Sequence, residues 1–131
     1  MFANIEIKNN LLSRFLKTRK TTLILTKNLD PEDMVIQTNE YVSPIKWHLA
    51  HTTWFFENFI LKKKKNYKSF SKSFNYLFNS YYKNVGEYNP KTQRGFISRP
   101  FVSEVLEYRK YVEENILELF SKNEINEKKI F

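Results

Sequence analysis

Cysteine is absent from the chain, and that one absence removes disulfide staples, thiolate metal sites and a thiol nucleophile together. It agrees with a reducing compartment, and it leaves nitrogen and oxygen as the only ligands for a metal. Glycine is nearly as scarce, limited to Gly86 and Gly95, so there is neither a glycine-rich phosphate loop nor a nucleophile elbow. No stretch approaches the ~20 apolar residues of a membrane span. The opening MFANIEIKNN lacks the basic start and apolar core of a signal peptide. The expectation is a cytoplasmic protein with no membrane partner.

What is present is a domain-sized chain of 131 residues, long enough to bury roughly two-thirds of the surface its unfolded form exposes. Lysine and arginine outnumber aspartate and glutamate by 22 to 14, a net charge of +8. That excess permits nucleic-acid binding, but the composition argues for a duller origin. Lysine, asparagine, isoleucine and phenylalanine are abundant along the whole chain, as AT-rich coding produces. The one dense cluster, Lys62 to Lys65, follows an aromatic helix, where cations complement the helix dipole. A solvated helix end is the preferred reading, and nucleic acid is not an expected partner.

Residues 4–27 carry Ile5, Ile7, Leu11, Leu12, Phe15, Leu16, Leu23 and Ile24 mostly at helical spacing, predicting an amphipathic helix. The segment 29–42 breaks the pattern at Asp30-Pro31 and reads as an ordered crossover loop. A second helix is predicted from Ser43-Pro44, with serine as cap and proline at the first helical position, to about Lys63. The lysine- and serine-rich stretch 64–72 reads as a mobile surface segment, and 73–85 as one short aromatic helix. The two glycines flank GEYNPKTQRGFISRP, a loop whose backbone needs unusual conformations. After Pro100, Val102, Val105, Tyr108, Val112, Ile116 and Leu119 mark a third long helix to about Lys122. Asn123, Glu124 and Glu127 read as the start of a further helix, cut short at Phe131. The class is therefore all-α, an up-and-down bundle whose last helix is truncated. Glu104, Glu107, Glu113, Glu114 and Glu118 alternate with Arg109 and Lys110, the pattern of a solvated face.

His48 and His51 lie in SPIKWHLAHTTWFFENFIL. On a helix Trp47, His51, Trp54 and Asn58 share one stripe, and Pro44, His48, Phe55 and Phe59 share its neighbour. Spacing alone favours a packed or boundary role over a metal site. A histidine ringed by aromatics is commonly a hydrogen-bonded core residue, and an HxxH pair on a helix can also chelate a metal. Two imidazoles do not complete a site.

Two blocks carry a resemblance: SPIKWHLAHTTWFFENFIL and FNSYYKNVGEYNPKTQRGFISRPFVSEVLEYRKYVEENI. In these the chain, from about residue 5 to its end, resembles the N-terminal DinB-like helical domain of the EgtB-type ergothioneine synthases, non-haem iron sulfoxide synthases. The resemblance implies one Fe(II) held by three histidines, with His51, the second histidine of WHLAH, as the ligand from this segment. His48 then stands behind the ligand or in packing. The implied reaction uses O2 to join the sulfur of γ-glutamylcysteine or cysteine to the imidazole of hercynine as a sulfoxide. It also places the carboxylate of the thiol substrate near GEYNPKTQRGFISRP, with Arg94 and Arg99 as candidates because a planar guanidinium fork matches a carboxylate.

The chain departs from that family in two respects. The helix carrying the second and third histidines, and the large C-terminal domain of the formylglycine-generating-enzyme type, are both missing from residues 1–131. The expectation is therefore an incomplete DinB-like domain that is metal-free and inactive alone. The alternative is a stand-alone helical binding or interaction module without catalysis.

Overall fold

The computed structural model describes residues 2–122, without the side chains of Phe2 and Asn4. Every regular element among the described residues is helical: α1 (Phe2–Thr26), α2 (Ile45–Phe59), the single-turn α3 (Phe74–Leu77) and α4 (Val102–Ser121), with 3₁₀ turns at Asp33–Val35, Leu61–Lys63 and Lys91–Phe96. The all-α expectation holds. The helix expected from Asn123 lies outside the described residues.

The core sits between α2 and α4. Leu49, Ala50 and Trp54 meet Val105, Tyr108 and Val112, all of them at most 1% exposed. Met34, Leu61, Phe74 and Phe78 close the ends and sides of this seam, and Leu11, Leu12 and Phe15 of α1 pack against it. Phe15 contacts Phe56 at 5.0 Å while Arg19 reaches Thr53, so α1 and α2 run antiparallel. The return leg of the bundle is the largely irregular segment 60–101. It passes Glu57 at Tyr67, Trp47 at Leu77 and Lys46 at Ile97, and delivers α4 to the end of α2 at which α2 began.

Several local expectations are corrected. Helix α2 stops at Phe59 and only its 3₁₀ continuation reaches Lys63. Pro44 precedes the helix, its carbonyl accepting the His48 N–H at 3.2 Å, and Ser43 makes no cap. The Ser43 hydroxyl instead accepts a bond from the Arg94 guanidinium at 2.9 Å, a charge-assisted contact stronger than a neutral cap. The stretch 64–72 is not a loose surface segment. Tyr67 donates to the Glu57 carboxylate at 2.7 Å, the Phe70 N–H reaches the same oxygen at 3.3 Å, and Tyr111 donates to the Lys68 carbonyl. In 73–85 the helix ends after one turn because the Asn79 side chain takes over the backbone pairing, accepting from the Tyr82 N–H at 2.9 Å and donating to the Tyr82 and Gly86 carbonyls.

The face of α4 expected to be solvated is partly core. Arg109 is 2% exposed and donates to the Leu49 carbonyl at 3.0 Å and to Thr52 at 3.2 Å. Glu113 pairs with the buried Arg19 at 2.7 Å, and Arg19 also donates to Thr53. Burial pulls the Arg109 guanidinium down to about 10, with the Arg19 charge adding to the effect and Glu113 opposing it. Glu104, Glu107, Glu114 and Glu118 are half-buried or exposed, as expected of a wet face.

Candidate functional site

The stripe read on α2 becomes a column of rings. The Arg94 guanidinium lies 3.5 Å from the centre of the Trp47 ring, Trp47 stacks on His51 at 4.5 Å, and His51 stacks on Trp54 at 5.5 Å. Trp54 continues the column to Tyr82 at 5.8 Å. Tyr82 is there because Asn79 folds residues 79–86 into a turn, and Gly86 closes it with φ +149°, a backbone setting that side-chain-bearing residues resist.

The short α3 explains the orientation of His51. A helix end leaves carbonyls without intrahelical partners. Here the Leu77 carbonyl accepts from the Trp47 indole N–H at 3.1 Å, and the Phe78 carbonyl contacts His51 Nδ1 at 2.7 Å. A carbonyl can only accept, so Nδ1 carries the proton and Nε2 holds a lone pair. Among the described residues nothing hydrogen-bonds Nε2. A backbone carbonyl on one imidazole nitrogen with the other left basic is the arrangement that orients histidine ligands toward metals. Desolvation holds the His51 pKa below the ordinary imidazole value. The Phe78 bond opposes this, and the positive charge of Arg94 and the neighbouring His48 add to it. The ring is therefore neutral, as a ligand must be.

His48 is exposed and meets only the edge of Trp47, at 5.4 Å, and it has no comparable orienting bond. Among the described residues no group of three histidine, aspartate or glutamate side chains could hold a metal ion. His51 thus has the fixed orientation and free nitrogen of a metal ligand, while the described residues do not by themselves form a complete metal site.

Arg94 and Arg99 are not brought together. Arg94 is 6% exposed and is held by Ser43 and, at 3.5 Å, by the Ser80 carbonyl. Burial pulls its pKa down to about 10, which still leaves it cationic at neutral pH. Its Nε and the nearby Ser80 hydroxyl are buried without a hydrogen-bond partner, so this end of the column keeps unused donor capacity. The loop is pinned by Gln37, whose amide donates to the Val42 and Lys91 carbonyls and accepts from the Gly95 N–H at 2.7 Å. A Cβ on Gly95 would come within 2.8 Å of Gln37, so the close approach requires glycine. Arg99 is exposed, donates to the Ser98 carbonyl at 3.2 Å and covers the Phe101 ring at 4.0 Å.

The Trp47, His51 and Trp54 stripe and the arginine of the loop were readable in the sequence. Phe78, Asn79 and Tyr82 were not, because a carbonyl's role and a side-chain-made turn have no periodic signal. No curated protein matches the chain. The family model described as the DinB superfamily matches residues 14–124, which takes in α2, the ring column and α4, and the chain belongs to the DinB superfamily.

Proposed function

We propose that this chain is the helical, iron-ligating part of a sulfoxide synthase of ergothioneine biosynthesis, acting on hercynine, O2 and a cysteine-type thiol, either cysteine or γ-glutamylcysteine. The observation that carries the reading is the His51 imidazole, held at Nδ1 by the Phe78 carbonyl at 2.7 Å with Nε2 left basic between two tryptophans. In the reaction a C–S bond replaces the thiol S–H and an imidazole C–H; one oxygen atom of O2 ends on sulfur and the other in water. Bound Fe(II) would supply the activation of O2. The part of this chain's own residues is to present one oriented nitrogen, to wall it with Trp47 and Trp54 against bulk water, and to keep a cation at Arg94 for a substrate carboxylate. Two further histidines would come from outside residues 1–131, since His48 and His51 are the only ones in the sequence.

The test uses the gene product that contains this chain together with the missing ligands. Anaerobic iron loading is lost in His51→Ala and largely kept in His48→Ala. The reverse outcome places the ligand on the wrong histidine, and failure of the unaltered protein to load iron or to form the sulfoxide, followed by mass spectrometry, contradicts the reading. In the same protein Arg94→Lys raises KM for the thiol by the equivalent of ~1–3 kcal/mol, the scale of a lost charge-assisted hydrogen bond, with iron content unchanged.

A second reading, a stand-alone helical binding module, is favoured by the same count of two histidines. The coding DNA past residue 131 separates the two readings. A frame continuing into a motif with two more histidines supports the synthase, and a stop codon supports the module.

A further inference from the structure

A cavity of about 230 Å³ opens between the segment 70–77 and the start of α4. Its apolar walls are Phe70, Phe74, Leu77 and Pro100. Arg99 and Glu104 bring opposite charges to the same cavity, yet they are not ion-paired to each other or to any other described residue. Arg99 spends one donor on the Ser98 carbonyl and lays its guanidinium over the Phe101 ring at 4.0 Å, and its other N–H donors have no hydrogen-bond partner among the described residues. The Ser71 and Ser73 hydroxyls, 3.0 Å apart, complete the rim. The remaining charge close by is the Lys46 ammonium, buried and bonded to the Ile97 carbonyl at 2.7 Å.

A cation and an anion that face one aromatic-walled cavity without contacting each other, with Lys46 close enough to feel both charges, select for a ligand carrying both charges and an apolar body. The volume lies below the ~300–1,000 Å³ usual for drug-sized ligands, which restricts the occupant to a small metabolite. We propose that this cavity binds a free α-amino acid with an apolar side chain: its carboxylate on the Arg99 guanidinium, its ammonium on Glu104, its side chain against Phe70, Phe74 and Leu77. The site shares no side chain with the His51 column and does not depend on the iron reading.

The test is a titration of the 131-residue chain, followed by amide chemical shifts, with leucine, leucinamide and 4-methylpentanoate. Leucinamide keeps the ammonium and removes the carboxylate; 4-methylpentanoate does the reverse. Leucine gives saturable shifts at Ser71, Ser73 and Glu104, and each isostere binds at least about tenfold more weakly, the lower bound for losing a hydrogen bond to a charged group. Arg99→Gln removes the preference over leucinamide, and Glu104→Gln removes the preference over 4-methylpentanoate. The isostere comparison stands on the unaltered chain even if a variant misfolds. Absence of saturable binding by leucine, equal affinity for an isostere, or shifts centred on His51 overturns the proposal.

Discussion

The two sides of α2 treat polar groups in opposite ways. Toward α1 and α4 the polar groups are mostly closed on one another, the buried Arg109 Nε being the exception. Glu57, 2% exposed, accepts from Tyr108 of α4 and is closed off by Tyr67 of the segment after α2, while Arg19, Thr53, Arg109 and Glu113 form one linked cluster. Toward the return leg, His51 is bound at one nitrogen and open at the other, and Arg94 and Ser80 keep atoms unspent. A charge buried with its partners costs little once made but much to unmake, so the first side is framework. A neutral ring fixed in direction with one basic nitrogen left over adds nothing to stability through that nitrogen, so the second side is where a ligand belongs. The same helix carries both because positions three and four apart share a face.

Unpairing the closed side has the largest effect. Glu113→Gln leaves the guanidinium groups of Arg19 and Arg109 buried without their carboxylate, and urea denaturation should show a loss of about 3 kcal/mol, the low end for unpairing a buried ion pair because Glu113 is itself 25% exposed. A loss below ~1 kcal/mol would mean that Arg19 and Arg109 do not rely on it.

Damage at the edge of the open side is smaller. Gly95→Ala pushes a methyl to 2.8 Å from Gln37, and the loop yields by shedding some of the Gln37 bonds, for about 1–2 kcal/mol of overpacking. Fluorescence of Trp47 should shift with it, as Arg94 moves off the ring. A variant of unchanged stability and unchanged emission would show that the approach tolerates a Cβ.

Acid acts on the open side through its histidines. Desolvation holds both below their ordinary value of 6.5: only in part for the exposed His48, with Arg94 and Lys91 adding their repulsion, and for His51 in spite of its Phe78 bond and with Arg94 adding its repulsion. A base whose folded pKa is depressed takes up its proton in the unfolded chain first. Its contribution to stability is full above the unfolded value, falls as pH drops through that value, and levels off below the folded one. The urea midpoint should therefore fall between about pH 7.5 and 5.5, with a shallower fall in His51→Gln. A midpoint that rises over this window contradicts the assignment. Smallest of all is Glu114→Gln, which touches neither side: its partner Lys110 is 4.0 Å away and the two side chains, lysine and glutamate, are 78% and 62% exposed, so the change stays within ~0.5 kcal/mol.

Helices α2 and α4 were legible because their apolar residues repeat at three and four, and the Trp47, His51 and Trp54 stripe followed from the same period; in α1 the spacing predicted the helix but not its buried face, since Leu11, Leu12 and Phe15 pack on the core while Ile5, Ile7, Leu16, Leu23 and Ile24 are exposed. The buried charges were not. Arg109 shares a stripe with Val105, Val112 and Ile116, and Arg19 with Phe15 and Leu12, so their positions were available. Charge in a sequence reads as a mark of solvent, and only the pairing of separate helices reveals a partner for each. Tyr67 and Phe70 were hidden in the same manner among lysines: two aromatics three apart suffice to anchor a segment, and composition averages them away. The fixing of Nδ1 by a carbonyl depends on where α3 ends, which Asn79 decides through its side chain.

The open side of α2 depends above all on His51 standing neutral, with its proton on Nδ1 and a bare Nε2. Long-range ¹H–¹⁵N correlation spectra of the two histidines at neutral pH read both features at once, with His48→Gln supplying the assignment. We expect a protonated Nδ1 and a pyridine-like Nε2 for His51. A spectrum with the proton on Nε2, or an imidazolium at neutral pH, would contradict this picture of the site.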